Sequence, residues 1–295
     1  MWNAIALQLS DWLGSPYRIS NHQALGGGDY HHCYRIDNGQ RPLFIKISRS
    51  GDGENLTAEA DGLAHLARTG CIATPTVVGQ GKVDGQPLLA LEWLDLQRNA
   101  GVNCWQTFGR QLATLHLASD QAMYGFDDDN YLGPSLQPNR WHKHWHRFFA
   151  EQRLGWQLEL AAEQGLLFGD IDTLIDCAAA LLRHHQPKPS LLHGDLWSGN
   201  LGFCGERAVI FDPAVYYGDR EVDIAMSRLF GPLPDAFYQG YETVAPLPAD
   251  HGERRELYQL YYLIHHARVF GGHYVEDCRQ QLKRLLACEE GAWKG

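Results

Sequence analysis

The sequence lacks the features that mark membrane proteins, disulfide-bonded secreted domains and nucleic-acid-binding proteins. No apolar run approaches the length of a membrane span, and the first residues lack the basic and apolar pattern of a signal peptide. The seven cysteines are scattered, odd in number and without a CxxC pair, which fits reduced thiols better than disulfides or a zinc knuckle. Only 25 Lys and Arg oppose 35 Asp and Glu, and this net charge of −10 argues against nucleic acid or an anionic membrane as a partner. We therefore expect a soluble cytoplasmic protein.

The 295 residues are enough for one large domain or two lobes, and no repeat or low-complexity tract divides them. Short strand-like segments with turns between them extend to about residue 91, and helical periodicity dominates from residue 102 onward. This order predicts an α+β fold. We expect a small N-lobe at 1–92, with an antiparallel sheet of about five strands and one helix, and a larger, mainly helical C-lobe at 93–295.

The most informative stretch is Leu191–Pro213, in which two short apolar runs enclose a polar turn. The turn contains His193, Asp195 and Asn200, and the second apolar run ends at Asp212. This is the layout of a phosphoryl-transfer site: a base lies on a loop, an amide follows five residues later, and a carboxylate comes after the next strand. In such a site the amide and the last carboxylate bind Mg²⁺. The alternative explanation is that Asp195 and Asn200 only stabilise a turn between two strands.

Upstream, a glycine-rich turn precedes a strand that carries one lysine. Gly26, Gly27 and Gly28 separate two predicted strands, and glycines allow a backbone to approach phosphates closely, although most such turns are simple hairpins. In the next strand, alternation places Lys46 on the same face as Phe44 and opposite the neighbouring apolar residues.

A carboxylate lies on the apolar stripe of the next predicted helix, Glu54–Arg68. Glu59 is three residues after Leu56 and four before Leu63, so it faces the core. An unpaired buried carboxylate is costly, and Lys46 is its natural partner. The alternative is a tilted helix with a solvated Glu59. A strand lysine paired with a helix glutamate would be the nucleotide-holding half of a kinase-type site.

Two further segments complete this constellation. Glu92, Trp93 and Leu94 leave the predicted sheet, and in a kinase-type arrangement their backbone would meet the adenine. Asp223 lies in the first turn of a predicted helix, where a carboxylate can accept backbone N–H groups. We expect Asp223 to hold the loop around His193, although a simple charge at the helix N-terminus is the alternative.

Histidine is abundant, with 15 residues, several of them in pairs. His142 and His146 are one helical turn apart, but no third metal ligand is apparent, so we expect packing residues or a pocket wall there. The pair His265-His266 is likewise expected to be a surface or core feature.

Taken together, these segments resemble the fructosamine kinase (ketosamine-3-kinase) family of the protein-kinase-like superfamily. The resemblance spans essentially the whole chain, and the segments that carry it are Gly26-Gly27-Gly28, FFAEQRLGWQ at 148–157, HGDLWSGN at 193–200, Asp212-Pro213-Ala214, GDRE at 218–221 and residues 258–272. It implies phosphorylation of the 3-hydroxyl of sugar–amine adducts, such as fructoselysine or ribuloselysine, with ATP and Mg²⁺. The products tend to break down, so the family acts in deglycation and protein repair.

The resemblance also implies roles for individual residues. Lys46, held by Glu59, would contact the α- and β-phosphates under the glycine turn, Asn200 and Asp212 would bind Mg²⁺, and Asp195 would orient or accept the hydroxyl proton. Trp197 would stack on the sugar or its amine, or else act as a structural wedge. One residue departs from the family pattern, since Asp29 follows the glycines where plant and animal members have cysteine, and this argues against a redox switch there.

Other residues indicate a small acceptor and an unregulated site. Gly194 stands where regulated protein kinases have arginine, and Pro213 follows Asp212 and stiffens the turn. The alternatives are another small-molecule kinase, acting on an aminoglycoside, choline or homoserine, a nucleotide-binding pseudokinase scaffold, and, least favoured, metal storage or sensing by the histidines. The pseudokinase is disfavoured because Lys46, Asp195 and Asp212 are all present. The choice among ketosamines, free or attached to glycated proteins, remains open.

Overall fold

The structure is a computed structural model that describes residues 1–26, 31–49 and 53–292. Its N-lobe contains a five-stranded antiparallel sheet in the order β1-β2-β3-β5-β4. The elements in chain order are α1 (Trp2–Leu13), β1 (Asn21–Leu25), β2 (His31–Asp37), β3 (Leu43–Ser48), α2 (Glu54–Arg68), β4 (Val77–Val83) and β5 (Gln86–Glu92). The predicted sheet and helix are thereby confirmed.

The two faces of β3 are covered by different helices. Leu43, Ile45 and Ile47 belong to an apolar cluster that includes Ile5 and Leu9 of α1. Phe44 packs against the cluster that contains the apolar residues of α2, and Lys46 points to the same side. The predicted alternation of β3 is confirmed, and it is what directs Lys46 toward α2.

The C-lobe is mainly helical, with short two-stranded sheets that shape its loops. Its first elements are α3 (Val102–Leu117), β6 (Asn130–Leu132), β7 (Ser135–Gln137), α4 (Trp145–Arg147), a π-helix (Phe148–Gly155), α5 (Trp156–Glu163) and α6 (Ile171–Leu181). The remaining elements are β8 (Ser190–Leu192), β9 (Leu201–Cys204), β10 (Arg207–Ile210), β11 (Tyr216–Gly218), α7 (Glu221–Met226), α8 (Asp235–Glu242), α9 (His251–Phe270) and α10 (His273–Ala292). In the described part of the chain, no helix is both long and apolar enough to cross a lipid bilayer.

Two neighbouring segments of the C-lobe are irregular. The chain passes through α4, the π-helix and α5 in succession, and the hairpin β6–β7 precedes them. Arg153 of the π-helix is fully buried: its guanidinium lies 3.9 Å from the ring centroid of Tyr216 and donates to the carbonyl of Pro138 at 2.6 Å. Periodicity does not report this contact, which ties the π-helix to the segment that follows the hairpin.

The helix α2 packs on both lobes. Gly62, in its middle, faces the C-lobe so closely that an added Cβ would lie 3.1 Å from Cγ of Pro213 and 3.4 Å from Val215. At the start of α2, Glu54 accepts a hydrogen bond from the hydroxyl of Tyr131 in β6 at 2.7 Å. The helix that carries Glu59 is therefore held against the C-lobe as well as against the sheet.

Candidate active site

A cleft of about 610 Å³ lies between the N-lobe sheet and the C-lobe loops. The sequence-predicted residues that line it are Gly26, Lys46, Glu59, Asp195, Trp197, Asn200 and Asp212. Gly27, Gly28 and Asp29, also named in the sequence analysis, lie outside the described residues. Residues from β3, α2 and two C-lobe loops thus converge on one space.

Lys46 is the centre of a buried ionic triad. Its Nζ lies 2.7 and 2.8 Å from the two carboxylate oxygens of Glu59, as the helix pattern predicts, and 2.5 Å from Oδ1 of Asp212. Burial would lower the pKa of Lys46, but the carboxylates of Asp212 and Glu59 raise it above its ordinary value. Burial raises the pKa of Glu59. For Asp212, the positive charge of Lys46 outweighs the effect of burial and keeps the pKa of the Asp212 carboxyl below its ordinary value. Lys46 is therefore charged and joins the two lobes.

Asp195 lies on the loop after β8 and is held by Asn200. The Nδ2 of Asn200 donates to Oδ2 of Asp195 at 2.8 Å and to its backbone carbonyl at 2.9 Å. The other carboxylate oxygen, Oδ1, is buried and has no hydrogen-bond partner among the described residues. Burial raises the pKa of Asp195 to about 7, although the Asn200 bond opposes this. The site therefore holds a carboxylate with one free oxygen and an increased affinity for a proton.

The loop before Asp195 is fixed by Asp223 in the first turn of α7. The two carboxylate oxygens of Asp223 accept the backbone N–H groups of His193 at 2.8 Å and Gly194 at 2.9 Å. His116 of α3 lies 3.2 Å from the same carboxylate, and Tyr262 of α9 donates to the carbonyl of Gly194 at 2.6 Å. The contact expected between Asp223 and this loop is present, and His116 and Tyr262 are additional partners that the sequence did not suggest.

The backbone at Gly194 explains why a larger residue is absent there. Gly194 has φ +82°, and an added Cβ would lie 1.9 Å from the carbonyl oxygen of Ala214. Asp212, two residues before Ala214, also has a left-handed backbone at φ 55°. This conformation is strained for a non-glycine residue and is common at functional sites. An arginine at position 194 is thus excluded by the close approach of two loops.

The segment at the end of β5 lines a second, mainly apolar pocket of about 280 Å³, which shares the lining residues Phe44 and Asp212 with the cleft. Glu92, Trp93 and Leu94 form part of its wall. The Glu92 carboxylate is turned toward Thr76, whose N–H it accepts at 2.8 Å, so this segment offers the pocket an apolar surface and backbone groups. A flat heteroaromatic ring fits such a pocket.

Trp197 forms part of an aromatic wall on the other side of the cleft. Its ring covers Gly199, where an added Cβ would lie 2.3 Å away, and packs edge-on against Phe230 at a centroid distance of 5.8 Å. The side chain is half-buried and faces the cleft. Trp197 therefore packs against the C-lobe and presents an aromatic surface to a ligand at the same time.

The cleft has the donor set of a hard divalent cation site. Lys46 and Arg98 are the positive side chains that line it with the carboxylates of Glu59, Asp195 and Asp212. Because Asn200 donates through Nδ2, its amide oxygen is left as an acceptor. An amide oxygen and a carboxylate oxygen in the same cleft suit Mg²⁺.

A second group of possible metal ligands is already satisfied by the protein. Among the described residues, His185, Asp219 and Glu221 place ligand atoms within 4.8 Å of one another. However, Asp219 lies 2.7 Å from both His185 Nε2 and the hydroxyl of Tyr258, and Glu221 is paired with Arg254 at 2.8 and 2.9 Å. This is a hydrogen-bonded network that supports the start of α7.

Sequence reasoning missed several residues of the cleft, among them Arg98, His265 and His266, and it assigned the two histidines to surface or core. His265 is indeed buried, but both rings line the cleft with Asp195 and Trp197. They lie one turn beyond Tyr262, whose hydroxyl donates to the backbone of the loop that carries Asp195. That helical spacing was the available signal, but periodicity alone did not show which side of α9 faces the cleft.

Comparison with known proteins gives a consistent result. The family model described as fructosamine kinase matches residues 1–288. A protein of Vibrio vulnificus described as a probable ketoamine kinase is 43% identical over 287 residues, which are 97% of this chain and 100% of that protein. A Haemophilus somnus crystal structure described as a fructosamine-3-kinase has a TM-score of 0.93 at 37% identity, covering 97% of this chain and 98% of that one. An aminoglycoside phosphotransferase structure, at 14% identity and a TM-score of 0.66 over 97% of this chain and 99% of its own, shares the fold.

Proposed function

Because the chain belongs to the fructosamine kinase family and is a phosphotransferase, we propose that it transfers the γ-phosphoryl group of ATP to the 3-hydroxyl of a ketosamine. The observation that carries this proposal is the convergence of Lys46, Asp195 and Asp212 on one cleft with Trp197 on its wall. The acceptors would be fructosamine or ribulosamine adducts, either free or on glycated proteins. Phosphorylation would lead to loss of the sugar and thus to deglycation in the cytoplasm, where ATP is available.

The nucleotide would bind with its base in the pocket lined by Glu92, Trp93 and Leu94. We propose that the boundary between the lobes, 1–92 and 93–295, lies in this segment. Lys46 would contact the α- and β-phosphates, and Glu59 would hold it in place. Gly26, followed by Gly27 and Gly28, would cover the phosphates.

Asn200 and Asp212 would hold Mg²⁺ through one oxygen each. When bound, the metal would neutralise charge on the phosphates during transfer. Asp212 also bonds to Lys46. This bond fixes the proposed metal ligand, Asp212, relative to the proposed phosphate-binding residue, Lys46. The amide oxygen of Asn200, which is left as an acceptor, supports this assignment.

Asp195 would act on the acceptor through its free oxygen, Oδ1. The 3-hydroxyl oxygen would attack the γ-phosphorus, the bond between that phosphorus and the bridging oxygen of ADP would break, and Asp195 would take the hydroxyl proton. Most of the rate enhancement would come from positioning. Asp223, with His193, would keep the loop in register, and Trp197 would stack on the sugar or its amine substituent.

The experiment that tests this proposal is ADP release across a panel of ketosamines, an aminoglycoside, choline and homoserine, with Asp195→Ala as the control. We expect turnover with a ketosamine and a product that carries phosphate on the 3-oxygen, detected by ³¹P–¹H correlation. Turnover with choline, homoserine or kanamycin but with no ketosamine would overturn the proposed substrate. Equal turnover by the wild type and Asp195→Ala would overturn the proposed mechanism.

A further inference from the structure

Two buried amides of the hairpin β6–β7 reach the chain segment that follows Asp212. Asn130 is 5% exposed and Gln137 is 1% exposed. Nδ2 of Asn130 donates to the carbonyl of Val215 at 2.6 Å. Nε2 of Gln137 donates to the carbonyl of Ala214 at 3.2 Å. These carbonyls belong to the second and third residues after Asp212, so the hairpin holds the backbone that leaves the proposed metal ligand.

The orientation of both amides is determined by their partners. A backbone carbonyl can only accept, so Asn130 has to present Nδ2 to Val215. For the same reason Gln137 has to present Nε2 to Ala214. Nε2 of Gln137 also donates to Oδ1 of Asn130 at 2.7 Å, and Oε1 of Gln137 accepts from the hydroxyl of Tyr261 in α9. Every polar atom of the two amides thus has a partner, and removing either amide leaves a buried backbone carbonyl unpaired.

The backbone of Asp212 needs support from both sides. Its φ of 55° is unfavourable for a residue other than glycine, and such a conformation persists only where the surroundings determine it. Before Asp212, the N–H of Phe211 donates to the carbonyl of Asn200 at 3.0 Å, and Nε2 of His193 lies 3.0 Å from the carbonyl oxygen of Phe211. After Asp212, Pro213 has no N–H with which to anchor the chain. The amides of the hairpin supply side-chain contacts on this second side.

We propose that Asn130 and Gln137 are positioning residues for the metal, because they maintain the backbone conformation that directs the carboxylate of Asp212 into the cleft. This inference rests on the proposed function, in which Asp212 holds Mg²⁺. Groups that orient a metal ligand change metal affinity by about 10- to 100-fold when they are removed. Loss of either amide therefore weakens the binding of the metal, whereas the pocket for the base and the contact of Lys46 with the phosphates are retained.

The test separates metal binding from nucleotide binding. The dissociation constant of AMP-PNP, a non-hydrolysable ATP analogue, is measured by titration calorimetry once with Mg²⁺ and once with EDTA. The ratio of the two constants is the metal-dependent gain in affinity, which we expect to be at least about 10-fold for the wild type. In Gln137→Met this gain is expected to fall about 10-fold, while the constant in EDTA stays within about 2-fold of wild type. The Mg²⁺ concentration that gives half-maximal kcat is expected to rise by a similar factor.

Gln281→Met is the matched control. Gln281 is also 5% exposed, and its Nε2 donates to a backbone carbonyl, that of Glu256, outside the cleft. The same substitution there is expected to lower the free energy of unfolding but to keep the wild-type gain. If Gln137→Met keeps the wild-type gain, or if Gln281→Met loses the gain to the same extent, the positioning role is overturned.

A second variant removes the other contact with less change in side-chain volume. Asn130→Ser takes away the donor to Val215 and leaves Gln137 in place, so it too is expected to reduce the gain. If Gln137→Met does not fold, an unchanged gain in Asn130→Ser overturns the proposal. A wild type that binds AMP-PNP equally well with Mg²⁺ and with EDTA instead overturns the metal assignment in the proposed function, and this inference with it.

Discussion

Gly194→Ala is expected to damage the site through one backbone contact. The added methyl group would lie 1.9 Å from the carbonyl oxygen of Ala214, well inside van der Waals contact. That carbonyl accepts from Gln137 at 3.2 Å, and the N–H of Ala214 donates to the carbonyl of His193 at 2.8 Å. The methyl group can therefore be accommodated only if the loop that carries Asp195 moves away from the loop that carries Asp212.

The expected magnitude follows from two separate effects. A left-handed backbone costs an L-residue about 1–2 kcal/mol, of which about 0.4–1 kcal/mol is recovered because alanine restricts the unfolded chain. Overpacking adds about 1–3 kcal/mol when backbone has to shift. Gly205 has a similar φ of +62° but nothing within 4 Å of an added Cβ, so Gly205→Ala measures the first effect alone. We expect losses of about 1 kcal/mol for Gly205→Ala and about 3 kcal/mol for Gly194→Ala.

The assay combines urea unfolding, followed by tryptophan fluorescence, with steady-state kinetics. A displacement of about 1 Å between catalytic groups can reduce a rate about 100-fold, so kcat of Gly194→Ala is expected to fall by about that factor, whereas Gly205→Ala keeps the wild-type kcat. If the two variants unfold within about 0.5 kcal/mol of each other and kcat of Gly194→Ala stays within about 2-fold of wild type, then Gly194 is not needed for the close approach of the loops.

Three further predictions concern the charged groups. Because burial raises the pKa of Asp195 from 3.8 to about 7 and the proposed reaction needs the carboxylate, kcat/KM in a pH–rate profile is expected to fall as the pH drops below about 7. Because the folded protein then binds this proton more tightly than the unfolded chain does, the free energy of unfolding is expected to decrease as the pH rises from 3.8 to about 7. Asp195→Asn should lack this decrease in urea titrations, and its kcat should be reduced about 1,000-fold. Glu59→Gln leaves Lys46 paired only with Asp212 and should raise the KM for ATP about 10-fold with unchanged circular dichroism, whereas a KM within 2-fold would contradict the role of the pair. Asp223→Asn leaves a buried N–H without its acceptor, so it should cost about 1–3 kcal/mol in thermal unfolding and lower kcat at least 10-fold, and wild-type values would refute the positioning role.

The parts of the site that depend on local periodicity were predictable. Lys46 and Glu59 were paired in advance because a strand alternates every two residues and Glu59 interrupts an apolar stripe. The contact between Asp223 and the loop around His193 followed similarly from the position of Asp223 in the first turn of a helix. In each case one residue's position in its own element limited where the side chain could point.

The parts that depend on contacts between distant segments were not predictable in the same way. The bond from Lys46 to Asp212 spans 166 residues, and Asp212 has a left-handed backbone that no local sequence pattern predicts. His265 and His266 looked like one of several histidine pairs, because α9 is buried on several sides and its cleft-facing side is set by packing. Gly194 was interpreted as a missing arginine, and its steric reason became visible only with Ala214 beside it.

The close packing of α2 on the C-lobe also bears on how this enzyme could be inhibited. A compound can select an inactive conformation only if that conformation is populated. In an inactive conformation with α2 displaced, Glu59 would move away from Lys46. This movement would require separating Gly62 from Pro213 and breaking the hydrogen bond between Tyr131 and Glu54. Compounds designed to trap a displaced helix would therefore have little to bind. Selective inhibitors would have to compete in the assembled cleft, and its aromatic wall at Trp197 is the surface from which they could gain selectivity.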